Sequence, residues 1–243
     1  MNGNIEAIFL DTGNTMRIIE RDDALQYRAR VKLAELIGAQ ESPNALYERL
    51  RERYDNFKKW VKETLTQPSI EEIWERWMLP DFPAERIVPM AEELTRLWHA
   101  QSGHRIARPD VKPTVIELHK RGYRLGIIAN AISPTEIPEW LETYKLKQYF
   151  EAIVLSSTFG FRKPDPSIYL EAARLAGVEP ARCAYVGDNP TRDIPGARQA
   201  GFRTVLILLE QATLKKDPPK DRYKPDGLIS EFSALLNFFP PRD

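Results

Sequence analysis

The chain has 243 residues, with Lys+Arg and Asp+Glu equal at 35 each, so no net field recruits nucleic acid or an anionic membrane. Apolar residues make up 42% and charged residues 29%, enough for a packed core under a solvated surface, and no apolar run approaches the ~18 residues needed to span a bilayer. The single cysteine, Cys183, excludes an intrachain disulfide, and Met1-Asn2-Gly3-Asn4 shows no secretory pattern, so the expectation is a cytoplasmic protein.

The first predicted strand is Glu6 to Leu10, a continuous apolar run that closes on Asp11. From about Asp22 to Gly103 strand signals vanish. Leu25, Ala29, Leu33, Leu36 and Ile37 recur at helical spacing, as do Leu46, Leu50, Tyr54, Phe57 and Val61, and Glu71 to Met78 and Ala84 to Trp98 continue the pattern. Pro43, Pro68, Pro80 and Pro83 mark the joints of this helical insert. Trp60, Trp74, Trp77 and Trp98 fall inside it, and their expected role is to fill the core of a small bundle. His99 and His104 lack metal-ligand spacing to each other or to His119 and read as structural or solvated.

After the insert the pattern alternates. Strands are predicted over Arg124 to Ile128, Ala152 to Leu155, Cys183 to Val186 and Thr204 to Leu208. Helices over Val111 to Arg121, Pro166 to Ala176 and Ile194 to Ala200 each end at a glycine: Gly122, Gly177 and Gly201. Apolar runs this continuous suit strands buried on both faces, and the alternation predicts a doubly wound, Rossmann-like α/β core with a parallel sheet. Thr213 to Pro225 is rich in Lys, Asp and Pro and is expected to be an exposed loop.

Four short stretches punctuate this pattern. Asp11-Thr12-Gly13-Asn14-Thr15 follows the first strand, where open α/β sheets place their ligands, and Gly13 leaves the backbone free to turn. Leu125 to Asn130 is an apolar run ending in Ala129 and an amide. Lys163-Pro164-Asp165-Pro166 opens a helix, and Gly187-Asp188-Asn189-Pro190-Thr191-Arg192-Asp193 follows the fourth strand. Singly each is weak, since an Asp closing a strand is often a helix cap and a Lys before a helix is often surface.

Together, in this order, they resemble the haloacid dehalogenase-like (HAD) hydrolase superfamily, over essentially the whole chain. The resemblance implies a core of residues 1–18 plus 106–243 and a helical cap of residues 19–105. It implies that Asp11 is the nucleophile of a phosphatase-type hydrolase, that Lys163 neutralises phosphate charge and restrains Asp11, and that Asn130, Asn14 and Thr12 meet the substrate. It also implies Mg²⁺ held by Asp11, Asp188 and the Gly13 carbonyl, with Asp193 one step behind and Thr15 bracing the loop. Arg162 is expected to point away from the site. The partner would be a small phosphorylated molecule.

Two positions depart from the family pattern. Gly13 stands where phosphatases carry the Asp that protonates the leaving group and activates water, a transfer typically worth ~10²–10⁴-fold in rate. Ala129 stands where they carry Ser or Thr, whose loss, by analogy with an oxyanion-hole donor, costs another ~10²–10³-fold. The implied activity is therefore weak, or directed at substrates with good leaving groups such as acyl phosphates. The alternatives are an inactive HAD-fold protein that binds a phosphorylated ligand or a protein partner, and a dehalogenase-like hydrolase, whose aromatic residue at the Gly13 position this chain lacks.

Overall fold

The computed structural model describes residues 5–208 and 224–242; residues 213–223 of the expected C-terminal loop lie outside the described set. In chain order the strands are β1 (Ala7–Leu10), β2 (Arg17–Glu20), β3 (His104–Ala107), β4 (Arg124–Ala129), β5 (Phe150–Leu155), β6 (Cys183–Gly187), β7 (Arg203–Ile207) and β8 (Gly227–Ile229). Six of them form one sheet in the order β5-β4-β1-β6-β7-β8, every pairing parallel. The fold is therefore mixed α/β with a parallel-sheet core.

All four residues of β1 are buried because helices cover both faces of the sheet. Ile8 and Leu10 point into one apolar cluster with Val111, Val115, Leu125 and Val186. Ala7 and Phe9 point to the other face, among Ile168, Tyr169, Ala172 and Tyr185. The period-2 alternation of a strand thus divides one continuous apolar run between two cores. Helices Val111–Lys120, Pro166–Ala176 and Asp193–Gln199 flank the sheet, and Gly122, Gly177 and Gly201 follow them with φ of 85°, 62° and 90°.

Between β2 and β3 the chain is helical. Asp23–Ile37 is capped by Asp22, and Pro43–Thr64 is capped by Ser42 with Pro43 in its first turn. A short helix, Ile70–Glu72, runs into a wider π-helical turn, Ile73–Met78, and Ala91–Ala100 closes the segment. These elements share their own apolar cluster, centred on Trp74, which is 1% exposed and donates from Nε1 to Thr95 Oγ1 at 2.7 Å. Trp98 is buried there, and Trp60 and Trp77 pack against it half-buried. The tryptophans fill a core rather than line a surface.

Three strands carry no legible signal in the sequence. β2 and β3 pair antiparallel as a two-stranded ribbon at the two ends of the helical segment, straddling positions 18/19 and 105/106. Their four residues are too few, and too exposed, to show a period. β8 has three residues and extends the sheet edge beside β7.

Candidate active site

Asp11, Lys163, Asp188 and Asp193 converge at the carboxyl ends of β1 and β6, because parallel neighbours present their following loops on one side of a sheet. Asp11 is 4% exposed, and its backbone N–H donates to Val186 O at 2.8 Å, which ties the loop to β6. One carboxylate oxygen, Oδ1, accepts from Lys163 Nζ at 2.7 Å. The other, Oδ2, is buried and accepts no hydrogen bond from any described residue. An orphaned carboxylate oxygen is costly to bury, so this one is poised for a cation or an electrophile.

Lys163 has a fully buried side chain that also reaches Asp193 Oδ1 at 3.0 Å and the Tyr185 hydroxyl. Tyr185 in turn donates to Ile128 O at 3.0 Å. Asn130 grips the backbone of the same lysine: Lys163 N donates to Asn130 Oδ1 at 2.8 Å, and Asn130 Nδ2 donates to Lys163 O at 3.0 Å. The amide expected to meet substrate is thus engaged at both ends in holding Lys163.

Asp188 is half-buried and accepts from Asn14 Nδ2 at 3.0 Å, an orientation Asn14 reaches with φ of 54°. Burial, reinforced by the charges of Asp11 and Asp193, pushes its carboxyl up to about 6. Asp193 is fully buried; burial opposes its charge, yet Arg192 and Lys163 hold it well below the usual carboxylate range. Its Oδ2 accepts from Asn189 N at 3.0 Å. Gly187 makes room for it, since a Cβ there would meet Asp193 Oδ2 at 2.5 Å.

The residue that sequence reasoning missed is Arg192. Its guanidinium contacts Asp193 Oδ1 at 3.1 Å, Asp188 Oδ1 at 3.3 Å and comes within 3.7 Å of Asp11 Oδ2. The i,i+4 spacing from Asp188 and adjacency to Asp193 were its available signal. Three carboxylates therefore face two cations, and the surplus negative charge falls on Asp188.

The remaining loop residues take quieter positions. Thr12 is buried and its carbonyl accepts from Met16 N at 3.0 Å and Arg17 N at 3.1 Å. Thr15 is buried, and its hydroxyl makes no hydrogen bond to any described residue. Gly13 is exposed, its carbonyl accepts no hydrogen bond from described residues, and a Cβ built on it meets nothing within 4 Å. Ala129 is buried at the end of β4. Cys183 is buried too, and burial pushes its thiol up to about 12, away from nucleophilic use.

The helical segment reaches the site through one strap. Thr66 pairs antiparallel with Phe161, Gln67 N donates to Gly160 O at 2.8 Å, and Arg162 N donates to Leu65 O at 2.8 Å. Beside the strap lies a cavity of about 570 Å³, lined by Lys58 and Lys62 of the helical segment and by Asn130, Arg162, Lys163 and Arg192. Arg162 therefore does not point away from the site as expected. Its backbone is held by the strap, it lines the same cavity as Lys163, and its Nη1 donates to the Gln67 side chain.

His99, half-buried between the ribbon and the helical segment, has its ionisation pushed down to about 4 by burial and by the neighbouring Arg105. His104 is exposed and pairs with Asp22 at 3.1 Å. Neither lies near a metal-ligand set.

An α/β fold with clustered carboxylates and a buried lysine at its strand ends defines a class of hydrolase-like proteins. The chain matches the haloacid dehalogenase-like hydrolase family over residues 5–201 and belongs to it. It is 39% identical over 131 residues to a glyceraldehyde 3-phosphate phosphatase of Methanopyrus kandleri, covering 53% of this chain and 54% of that protein. It is 26% identical over 218 residues to a phosphoserine phosphatase of Thermus thermophilus, covering 78% and 87%. The chain spans about half the length of the first of these relatives. A crystal structure of a 2-haloacid dehalogenase from Pseudomonas syringae superposes with TM-score 0.66 at 24% identity, over 96% of this chain and 97% of that one. No helix among the described residues is long and apolar enough to cross a membrane.

Proposed function

We propose that this protein is a phosphatase-type hydrolase of small phosphorylated molecules, with Asp11 as nucleophile and the helical segment as a cap over the site. The observation that carries the reading is Asp11 itself: one oxygen is fixed by Lys163, and the other is buried and accepts no hydrogen bond from any described residue, with Arg192 Nη2 no nearer than 3.7 Å. Oδ2 attacks phosphorus as the bond to the leaving oxygen breaks and that oxygen departs with the electron pair. Water then cleaves the aspartyl-phosphate to give inorganic phosphate and the free Asp11 carboxylate, with Lys163 balancing charge beside it. The phosphatase relatives support the substrate class.

The residues fit a hard divalent cation. Asp11, Asp188 and Asp193 place oxygen atoms within 4.8 Å of one another, and the Gly13 carbonyl accepts no hydrogen bond from described residues. Asp11, Asp188 and the Gly13 carbonyl would hold Mg²⁺, with Asp193 behind them engaged by Lys163 and Arg192. Such an ion neutralises phosphoryl charge when bound.

Gly13 offers no proton to the leaving group and Ala129 no hydroxyl to a phosphoryl oxygen. Turnover of an acyl phosphate, whose leaving carboxylate needs no protonation, should therefore exceed that of an alkyl phosphomonoester. The test is hydrolysis of acetyl phosphate and glycerol 3-phosphate with millimolar Mg²⁺, with Asp11→Asn as control. Turnover lost in Asp11→Asn supports the reading; equal background in both proteins removes it and leaves a ligand-binding role. That second reading draws on Arg192, whose guanidinium already occupies the carboxylate cluster.

A further inference from the structure

Of the cations lining the cavity, most already have partners. Lys163 is committed to Asp11 and Asp193, Arg192 to Asp188 and Asp193, and Lys58 pairs with Asp55 at 2.6 Å. Arg162 forms no ion pair with any described residue; its Nη1 donates to the neutral Gln67 side chain. Lys62 also forms no ion pair among the described residues, and Glu63 is the one acidic residue that joins it on the rim.

Arg162 is half-buried, its backbone is pinned by the strap to Leu65, and its guanidinium is engaged by the Gln67 side chain. Burial, with the like charge of Arg192 adding to it, pulls its ionisation down to about 10. A partly desolvated guanidinium with unused donors is costly unless an anion supplies the missing pair. Its planar fork matches two oxygens of a carboxylate or phosphate.

We propose that Arg162, assisted by Lys62, binds a second anionic group on the substrate, so that the site prefers small dianionic molecules carrying a carboxylate or second phosphate besides the reacting phosphoryl group. The inference rests on the phosphatase-type reading of the Asp11 site. The cavity of about 570 Å³ that Arg162 and Lys62 line is also lined by Lys163, whose Nζ holds Asp11 Oδ1 at 2.7 Å. Specificity would then reside in the core loop before Lys163, with the helical segment supplying only the outer lysine.

The test is calorimetric binding to the full chain in Mg²⁺ of three phosphonates that cannot be turned over: ethylphosphonate, 3-phosphonopropionate and ethylene-1,2-bisphosphonate. One of the two bifunctional probes should bind at least tenfold tighter than ethylphosphonate, and which one it is identifies the second anion. In Arg162→Gln that advantage should fall below threefold, and Arg162→Lys should retain part of it. No advantage in the parent protein, or an advantage undiminished in Arg162→Gln, overturns the proposal. The parent comparison needs no variant, so a misfolded substitution does not blunt it. Absent turnover with an intact tenfold preference would refute the catalytic reading and uphold this one.

Discussion

The Arg192 guanidinium lies 3.3 Å from Asp188 Oδ1, inside the cluster of carboxylates that would bind a cation. Helix start Asp193–Gln199 and strand end Gly187 fix this pair within one tight loop, in which Asn189 Oδ1 accepts from Thr191 N and Arg192 N. The protein thus carries an internal counter-ion that a metal must share ligands with.

Removing it should favour the metal. Arg192→Gln is expected to tighten Mn²⁺ or Mg²⁺ binding at least tenfold, because like unit charges ~4 Å apart repel by ~4 kcal/mol at an effective dielectric near 20 and a divalent ion is repelled more. Asp188→Asn should abolish binding. Titration calorimetry or Mn²⁺ resonance reads both. Unchanged affinity in Arg192→Gln together with unchanged affinity in Asp188→Asn would place the ion elsewhere.

Gly13→Asp with Ala129→Ser should raise hydrolysis of p-nitrophenyl phosphate well beyond the product of the single changes. Both groups act on one transition state, so their effects couple. The structure has room for the first, since a Cβ at Gly13 meets nothing within 4 Å. A double variant that folds normally yet stays inert would argue against a relict phosphatase site.

Lys163→Met should lower folding stability by about 3 kcal/mol, because two buried carboxylates lose their shared cation. Adding Asp11→Asn should restore part of that loss, since one of the stranded charges is then gone. Urea unfolding of the three proteins measures the coupling; strict additivity would mean the ion pairs contribute nothing net.

His99 should make the fold acid-sensitive. Arg105, Arg17 and Glu136 face it, and its ionisation is held near 4 against an ordinary 6.5. The unfolded chain therefore takes up a proton at higher pH than the native one. Stability from this group is fully present above about pH 6.5 and is lost as pH falls towards 4, by about 3 kcal/mol in all. His99→Gln should flatten the melting-temperature profile across that window, while a profile of unchanged slope would assign the acid sensitivity to other groups.

The strands of the core were legible because burial on both faces leaves nothing to alternate: Ile8 and Leu10 serve one core, Phe9 the other, and all three read as apolar. Asp11, Lys163, Asp188 and Asp193 were legible because their surrounding strings are short and ordered along the chain, and the structure brings them together. Arg162 was not. Its direction is set by hydrogen bonds to Leu65 and Gln67, about a hundred residues earlier, and no local pattern encodes such a meeting. The ribbon of β2 and β3 was equally hidden, because each strand's pairing partner lies at the far end of the helical segment.

The strap between Leu65–Gln67 and Gly160–Arg162 has a thermodynamic corollary. Lys163 follows directly on the strapped residues, so displacing the helical segment tugs on the residue that fixes Asp11. Two backbone hydrogen bonds of ~1 kcal/mol each set the scale of that linkage. By reciprocity, if the helical segment closes on a ligand, whatever it gains would return as order at Asp11, and disorder at Asp11 would weaken the grip of the segment. Under the proposed function, recognition and chemical competence would be one equilibrium, so selection on either would shift both.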